Sequence, residues 1–291
     1  MGEIMEKLVT PIDSHTVLYG VFGDPIRHSR SPIMLNRAFQ EAGINGVYAA
    51  FHVKPEALGE AVRGIRALGY RGVNVTIPHK VDVMNYLDEI DEGALIVGAV
   101  NTIVNENGKL KGFNTDGIGY VRSLKEETGI ELKGKRVLVL GAGGAARGVA
   151  YALAKEGASR IYIANRTKER AIELAATIGA FTETVGLGMD ELENVVDNVE
   201  FVLNTTSAGM HPNVDELPLP LHLLRPHHLV SDLIYNPRIT RFLREAEAVG
   251  SRIHGGLGMF IYQGAYAFEY WTGTPAPVAA MRQVVEQSLT E

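Results

Sequence analysis

None of the 291 residues is cysteine. No disulfide can staple this fold, no thiolate can serve as nucleophile and no zinc can be held through sulfur. Enzymes that pass through a thioester are excluded with them, and a reducing compartment, the cytoplasm, is the expected setting. An excess of positive charge is missing too. The 28 Lys and Arg stand against 34 Asp and Glu, a formal net charge of -6, so there is no basic stripe for a phosphate backbone and nucleic acid is not an expected partner. Long apolar runs are also absent. The most hydrophobic stretch, Arg136 to Ala154, is interrupted by Arg147 and a glycine cluster, so no membrane span is expected. The opening MGEIMEKLVTPID carries acidic charges and does not read as a signal peptide, and Gly2 lacks the Ser or Thr that myristoylation favours.

What is present reads as an ordinary globular chain, 46% hydrophobic and 21% charged, long enough for two hydrophobic cores. Short β-branched runs alternate with helical patterns, which predicts an α/β fold of parallel sheets with crossover helices. Expected strands in the first part are Val17 to Phe22, Val47 to Val53, Gly72 to Thr76 and Ala99 to Val104. Helices are expected from Pro32 to Ala42 and from Pro55 to Leu68. The polar TGIELKGK before the apolar Val137 to Leu140 marks the approach to a second domain. Further strands are expected at Arg160 to Ala164, Glu200 to Asn204, Leu229 to Ile234 and Arg252 to His254. The division predicted is residues 1–117, an N-terminal α/β substrate domain with 1–16 as a mobile tail; 118–254, a Rossmann-type doubly wound parallel sheet; and 255–291, a helical segment returning to the first domain.

Strand Val137 to Leu140 runs directly into Gly141, Ala142, Gly143, Gly144, Ala145 and Ala146, with a helical pattern behind them. This is G-x-G-x-x-A in a strand-turn-helix setting. Gly141 suits the tight turn, Gly143 lets the backbone approach a pyrophosphate, Ala146 permits close packing of helix on sheet, and the helix N-terminus offers N–H donors to the anion. After the next strand come Asn165, Arg166 and Thr167, with Arg170 one helical turn beyond Arg166 and expected on the same helix face. A site built for NAD usually puts Asp or Glu there; two guanidiniums instead suit a 2′-phosphate, so NADP is the expected cofactor. As solvated helix charges they would mean nothing, but the preceding loop favours the phosphate. Tyr151 and Lys155 mimic a Y-x-x-x-K acid–base pair yet fall in the crossover helix beside the loop, and are expected to be packing and surface residues. Histidines 211, 222, 227 and 228 lack metal-ligand spacing; they are expected on the surface or in loops, and no metal is expected.

Ligands of open α/β sheets bind past the carboxyl ends of strands, so polar residues at those places matter most. Ser29 and Ser31 precede Pro32 and could hold a carboxylate, or simply cap a helix. Pro78 predicts a helix start that puts Lys80 in the first turn, where the positive end of the dipole opposes a charged amine. A lysine set against that field suits acid–base work near neutrality. Asn101 offers a donor and an acceptor to a hydroxyl, and Asp116 is either functional or a helix cap.

Taken in order, GDPIRHSRSP, NVTIPHK, GAVNTI, NTDG, GAGGAARG, NRT, NTTSAGM, DLIYNP and GGLGMFIYQGA resemble the shikimate dehydrogenase family from about Val17 to the C-terminus. The resemblance implies reversible NADPH-dependent reduction of 3-dehydroshikimate to shikimate, a step of aromatic amino acid biosynthesis. It implies Ser29 and Ser31 on the substrate carboxylate, and Thr76, Asn101, Asp116, Tyr235 and Gln263 on the other ring substituents. Lys80 is implied as the acid–base residue, paired with Asp116. On the cofactor side it implies Gly141, Ala142, Gly143, Gly144 and Ala145 at the pyrophosphate, Asn165, Arg166, Thr167 and Arg170 at the adenosine phosphate, Leu233 and Gly256 by the nicotinamide, and Glu92 as a further contact. Two rivals share the architecture: a quinate/shikimate dehydrogenase, normally NAD-preferring, and a non-catalytic cofactor-binding regulator, which should have lost Lys80 or Asp116. The oligomeric state stays open, a homodimer included.

Overall fold

A computed structural model describes residues 12–289 of the chain. It divides into two compact units. The first holds the described residues up to Leu95, Ala99–Thr115 and the stretch from Gly264; the second holds Ile96–Gly98 and Asp116–Gln263. Among the described residues no helix is long and apolar enough to cross a membrane.

In the first unit β1 (Val17–Gly23), α1 (Ser31–Glu41), β2 (Gly46–His52), α2 (Leu58–Ala67) and β3 (Gly72–Val75) alternate, followed by β4 (Glu89–Ile90), α3 (Glu92–Val97, its last two residues counted with the second unit), β5 (Thr102–Glu106) and β6 (Lys109–Phe113). The sheet order is β2-β1-β3-β5-β6-β4. The sheet is rich in parallel pairs without being uniform, because β5 runs antiparallel to both β3 and β6. The pairing with β6 follows from Asn107 and Gly108, whose φ angles of 55° and 93° are both positive. Asn-Gly meets that demand of a tight hairpin turn at little steric cost, and folds the chain straight back. One face of the sheet carries Val62, Ile65, Val73 and Ile103; elsewhere Tyr19, Phe39 and Trp271 pack together. The Trp271 indole donates to the Ile103 carbonyl at 2.9 Å, and a Cβ on Gly72 would lie 2.0 Å from its nitrogen, which is why β3 opens on glycine.

Residues 1–11 of the expected mobile tail lie outside the described residues. Its last part is not loose: Asp13 to Thr16 form a turn, and Asn45 reaches both the Asp13 carboxylate (3.0 Å) and the Thr16 hydroxyl (2.8 Å). Hydrogen bonds to a residue some thirty positions away are invisible to a reading of local composition.

The second unit runs α4 (Asp116–Thr128), β7 (Arg136–Leu140), α5 (Gly144–Lys155), β8 (Arg160–Ala164), α6 (Lys168–Ile178), β9 (Glu183–Leu187), β10 (Phe201–Asn204), β11 (Leu229–Asp232), α7 (Arg241–Ala248) and β12 (Arg252–His254). The next helix, α8 (Leu257–Thr272), is divided between the units after Gln263, and α9 (Val278–Leu289) belongs to the first. The order β12-β11-β10-β7-β8-β9 is parallel at every pair, and separate apolar clusters cover the two faces. This is the doubly wound arrangement, with its switch in winding direction between β7 and β10. The loops leaving those two strands therefore flank the crevice where such sheets bind ligands.

Candidate functional site

The glycine loop leaves β7 at the switch point. Gly141 has φ 109°, and a Cβ on it would lie 2.6 Å from the Thr205 hydroxyl, so turn geometry and crowding both require glycine. Gly143 is extended at the N-terminus of α5, and its missing Cβ would meet nothing within 4 Å. The backbone is thus open above Gly143 while Ala142 and Ala146 are buried against the sheet. An exposed loop feeding a helix N-terminus fits a pyrophosphate. Sequence reasoning assigned no role to Thr205 and Thr206. Thr205 donates to the Leu140 carbonyl (2.7 Å) and walls the glycine loop. The signal was there, since both stand just past a buried strand.

Past β8, the Asn165 amide donates to the Thr167 carbonyl at 2.9 Å, shaping the bend that presents Arg166. Arg166 precedes α6 and Arg170 lies in its first turn, so they are not two residues on one helix face, as their spacing suggested. Both are exposed, and among the described residues neither forms an ion pair. Nearby cations do: Lys168 with Glu191 (2.6 Å), Arg147 with Glu173 (2.7 Å), and Arg160 with Glu183. Two unneutralised guanidiniums beside the loop suit a phosphate.

Leu233 and Gly256 meet directly, for a Cβ on Gly256 would lie 2.0 Å from the Leu233 carbonyl oxygen. Gly256→Ala is therefore expected to destabilise the protein by about 1–3 kcal/mol, backbone having to move, and thermal unfolding will measure it. Tyr235 stacks on Phe260 with ring centroids 4.5 Å apart, and Gln263 donates to the Phe260 carbonyl at 2.8 Å. Asp116, almost wholly buried, begins α4. Three residues on, a Cβ on Gly119 would lie 2.6 Å from the Gln263 backbone nitrogen, so α4 and the start of α8 are in close contact.

In the first unit the expected substrate residues converge on the ends of β1 and β3. Ser29 and Ser31 stand at the entry to α1, whose N-cap is Arg30 with no side-chain cap bond; the Ser29 hydroxyl accepts from the Ser31 N–H at 3.2 Å. The Ser31 hydroxyl bonds the buried Tyr48 phenol, whose pKa burial holds well above its ordinary value, so it remains a neutral donor to Asn74 at 2.8 Å. Asn74 in turn donates to the Asn101 carbonyl (3.2 Å). The Asn101 side chain accepts from the Thr115 N–H (2.9 Å) and donates to its hydroxyl (3.0 Å). One buried chain of hydrogen bonds thus joins Ser31 to Asn101. Thr76 is placed by its N–H on the Phe22 carbonyl (2.9 Å).

Lys80 is not in the first turn of an α-helix. Thr76 to His79 close a turn (2.9 Å), and only a five-residue 3₁₀ stretch, Asp82–Tyr86, follows. The helix-dipole argument for Lys80 has no helix behind it. Its position is set instead by the Val100 N–H on its carbonyl (2.8 Å), and by the buried His79 ring against the Val53 carbonyl (2.6 Å). Glu92 is exposed at the start of α3, in the first unit, whereas the glycine loop is in the second.

Tyr151 packs edge-on against Phe181 at 5.1 Å, a packing role as expected. His228 lies in the loop ahead of β11, as expected, but not at the surface. It is buried with its ring 3.0 Å from the Val196 carbonyl, and desolvation pushes its pKa down.

Three family profiles match this chain: the shikimate dehydrogenase substrate binding domain over residues 21–103, shikimate / quinate 5-dehydrogenase over 123–215, and the shikimate 5′-dehydrogenase C-terminal domain over 256–286. A shikimate dehydrogenase (NADP(+)) of Geobacillus sp. (strain WCH70) is 51% identical over 272 residues, 94% of this chain and 98% of its own. A crystal structure of shikimate dehydrogenase in complex with NADP+ superposes with a TM-score of 0.90 at 45% identity, covering 97% of this chain and 99% of its own. Shikimate 5-dehydrogenase from Listeria monocytogenes, in complex with shikimate and NAD, does so with a TM-score of 0.89 at 39% identity, covering 96% and 99%. With half its residues shared along nearly the whole of both sequences, the chain belongs to the shikimate dehydrogenase family.

Proposed function

We propose that the chain catalyses the reversible NADPH-dependent reduction of 3-dehydroshikimate to shikimate, a step of aromatic amino acid biosynthesis, in the cytoplasm. The carrying observation is the 51% identity to a shikimate dehydrogenase (NADP(+)) along nearly the full length of both chains. The open loop at Gly143 and the unneutralised pair Arg166 and Arg170 support NADP as its cofactor. When bound, NADPH supplies the hydride that reduces the ketone carbon. The residues that would hold it are Gly141 to Ala145 at the pyrophosphate, Asn165, Arg166, Thr167 and Arg170 at the adenosine phosphate, and Leu233 and Gly256 at the nicotinamide.

The chain's own part is to hold the substrate and move a proton. Ser29 and Ser31 hold the carboxylate; Thr76, Asn101, Tyr235 and Gln263 hold the ring hydroxyls. As the ketone carbon is reduced, charge grows on its oxygen, and the Lys80 ammonium stabilises that charge and delivers the proton that completes the alcohol. Asp116 serves the same acid–base step. Oxidation runs the same events backwards, with Lys80 as base.

Absorbance of the nicotinamide, followed with purified protein on shikimate and on quinate, each with NADP and NAD, tests the proposal. The largest kcat/KM is expected for shikimate with NADP. Quinate with NAD in first place would make the chain a quinate enzyme, and cofactor binding without turnover of either alcohol would make it a regulator.

A further inference from the structure

Strand β11 ends on Asp232, a carboxylate with no exposed surface that no role above employs. All its hydrogen-bond partners are donors. One oxygen accepts from the Asn204 amide and the Ile234 N–H, both at 3.1 Å; the other accepts from the Thr240 hydroxyl at 2.7 Å. No cation is among these partners, and burial pushes the carboxyl up to about 6, so holding it ionised at neutral pH costs the fold stability. A group retained at such a cost invites the question of what it holds.

Its partners answer. Asn204, the last residue of β10, must turn its NH₂ toward an acceptor-only carboxylate, which leaves its amide oxygen facing the other way. That oxygen accepts both the N–H (2.9 Å) and the hydroxyl (2.7 Å) of Thr206. Thr206 and Thr205 form the wall against which Gly141 has no room for a Cβ, at 3.1 Å and 2.6 Å. On the other side, Ile234 passes the tie onward: its carbonyl accepts the Gly256 N–H at 3.2 Å, and the Leu233 N–H donates to the Asn204 carbonyl at 3.1 Å. A single carboxylate thus sets the polarity of hydrogen bonds that join the wall of the glycine loop to Leu233, Ile234 and Gly256.

We infer that Asp232 is a positioning residue for the dinucleotide: it orients the Asn204 amide and so fixes the Thr205–Thr206 wall and the Leu233–Ile234 segment as one preformed cofactor cradle. The inference rests on the NADP reading of this unit and goes beyond it by naming what holds the cradle in shape. Asp232→Asn keeps the volume but removes the charge and one acceptor oxygen, so that either Asn204 and Ile234 or Thr240 faces an NH₂ in its place.

The test is NADPH affinity, read by nicotinamide fluorescence without turnover, alongside the KM values for NADP and shikimate. In Asp232→Asn, NADPH binding is expected to weaken about tenfold or more, the loss of a charge-assisted hydrogen-bond set, with the shikimate KM within about twofold of the unmutated value. Thr240→Val, which removes one donor and leaves the carboxylate, is expected to shift the same two constants in the same direction by less, and reads the inference if Asp232→Asn does not fold. Unchanged NADPH affinity in a folded Asp232→Asn, or in Thr240→Val should that be the only folded variant, overturns it. Equal losses for cofactor and shikimate do so as well. An unmutated protein that binds NADPH yet oxidises no shikimate would defeat the proposed activity and leave this inference standing, whereas one that binds no NADPH would defeat both.

Discussion

Lys80→Ala is expected to lower kcat by about 10²-fold or more, with NADPH affinity nearly unchanged, because a positioned general acid contributes on that scale and a methyl group can neither donate a proton nor meet a developing alkoxide. The loss should be chemical rather than structural. Backbone contacts through Val100, and the His79 ring on the Val53 carbonyl, tie this segment through atoms that the substitution leaves in place. Lys80→Arg should restore little, since a guanidinium keeps its charge but does not surrender its proton near neutrality. Asp116→Ala is expected to fall by a similar factor. The double variant then decides how the two work. A loss no greater than that of the worse single variant means they act as one unit; multiplied losses mean two separate contributions. Steady-state rates with shikimate and NADP for the three variants suffice, and substantial activity retained in both single variants would remove the acid–base assignment.

The doubly wound sheet was easy to read because its central strands are covered on both faces. Val137 to Leu140 carry no exposed side chain and spell a continuous apolar run, and Gly141 straight after them is demanded by backbone geometry. Strand β9 escaped notice for the opposite reason. At the sheet edge, Glu183–Leu187 has an exposed start and half-buried middle, and reads as loop. The hairpin of β5 and β6 was legible in principle, since Asn107-Gly108 between two short runs is a strong turn signal; the antiparallel pairing of β5 with β3 has no such local sign.

Long-range contacts set the limits elsewhere. Pro78 was read as a helix start by a local rule, but the chain around Lys80 is held by partners twenty or more residues away, just past β2 and ahead of β5. His228 is the loop residue its letters suggest, but its burial depends on an acceptor, the Val196 carbonyl, supplied by a distant turn. Asp232 shows the same limit most sharply. As a letter it is one more polar residue at a strand end, like Asp116; only the geometry shows a buried acceptor surrounded by donors.

Arg166→Asp is expected to reverse the choice of cofactor, cutting kcat/KM for NADP by about 10²-fold while that for NAD changes by only a few-fold, because charge-assisted hydrogen bonds to the 2′-phosphate are lost and a like charge is put in their place. The position is well suited to this change. It follows β8, where an acidic residue in an NAD site accepts from the ribose hydroxyls, so the new carboxylate gains a role with NAD as it repels NADP. Among the described residues no ion pair is sacrificed, since Lys168 and Arg160 hold the neighbouring carboxylates Glu191 and Glu183, and the fold should not notice the exchange. Arg170→Ala should weaken NADP use by less, because one guanidinium remains at the bend. Both cofactors, titrated against saturating shikimate in the parent and the two variants, give the comparison. A parent that uses NAD and NADP equally well, or an Arg166→Asp that still prefers NADP, would mean that these arginines are solvated charges and that discrimination lies elsewhere in the second unit.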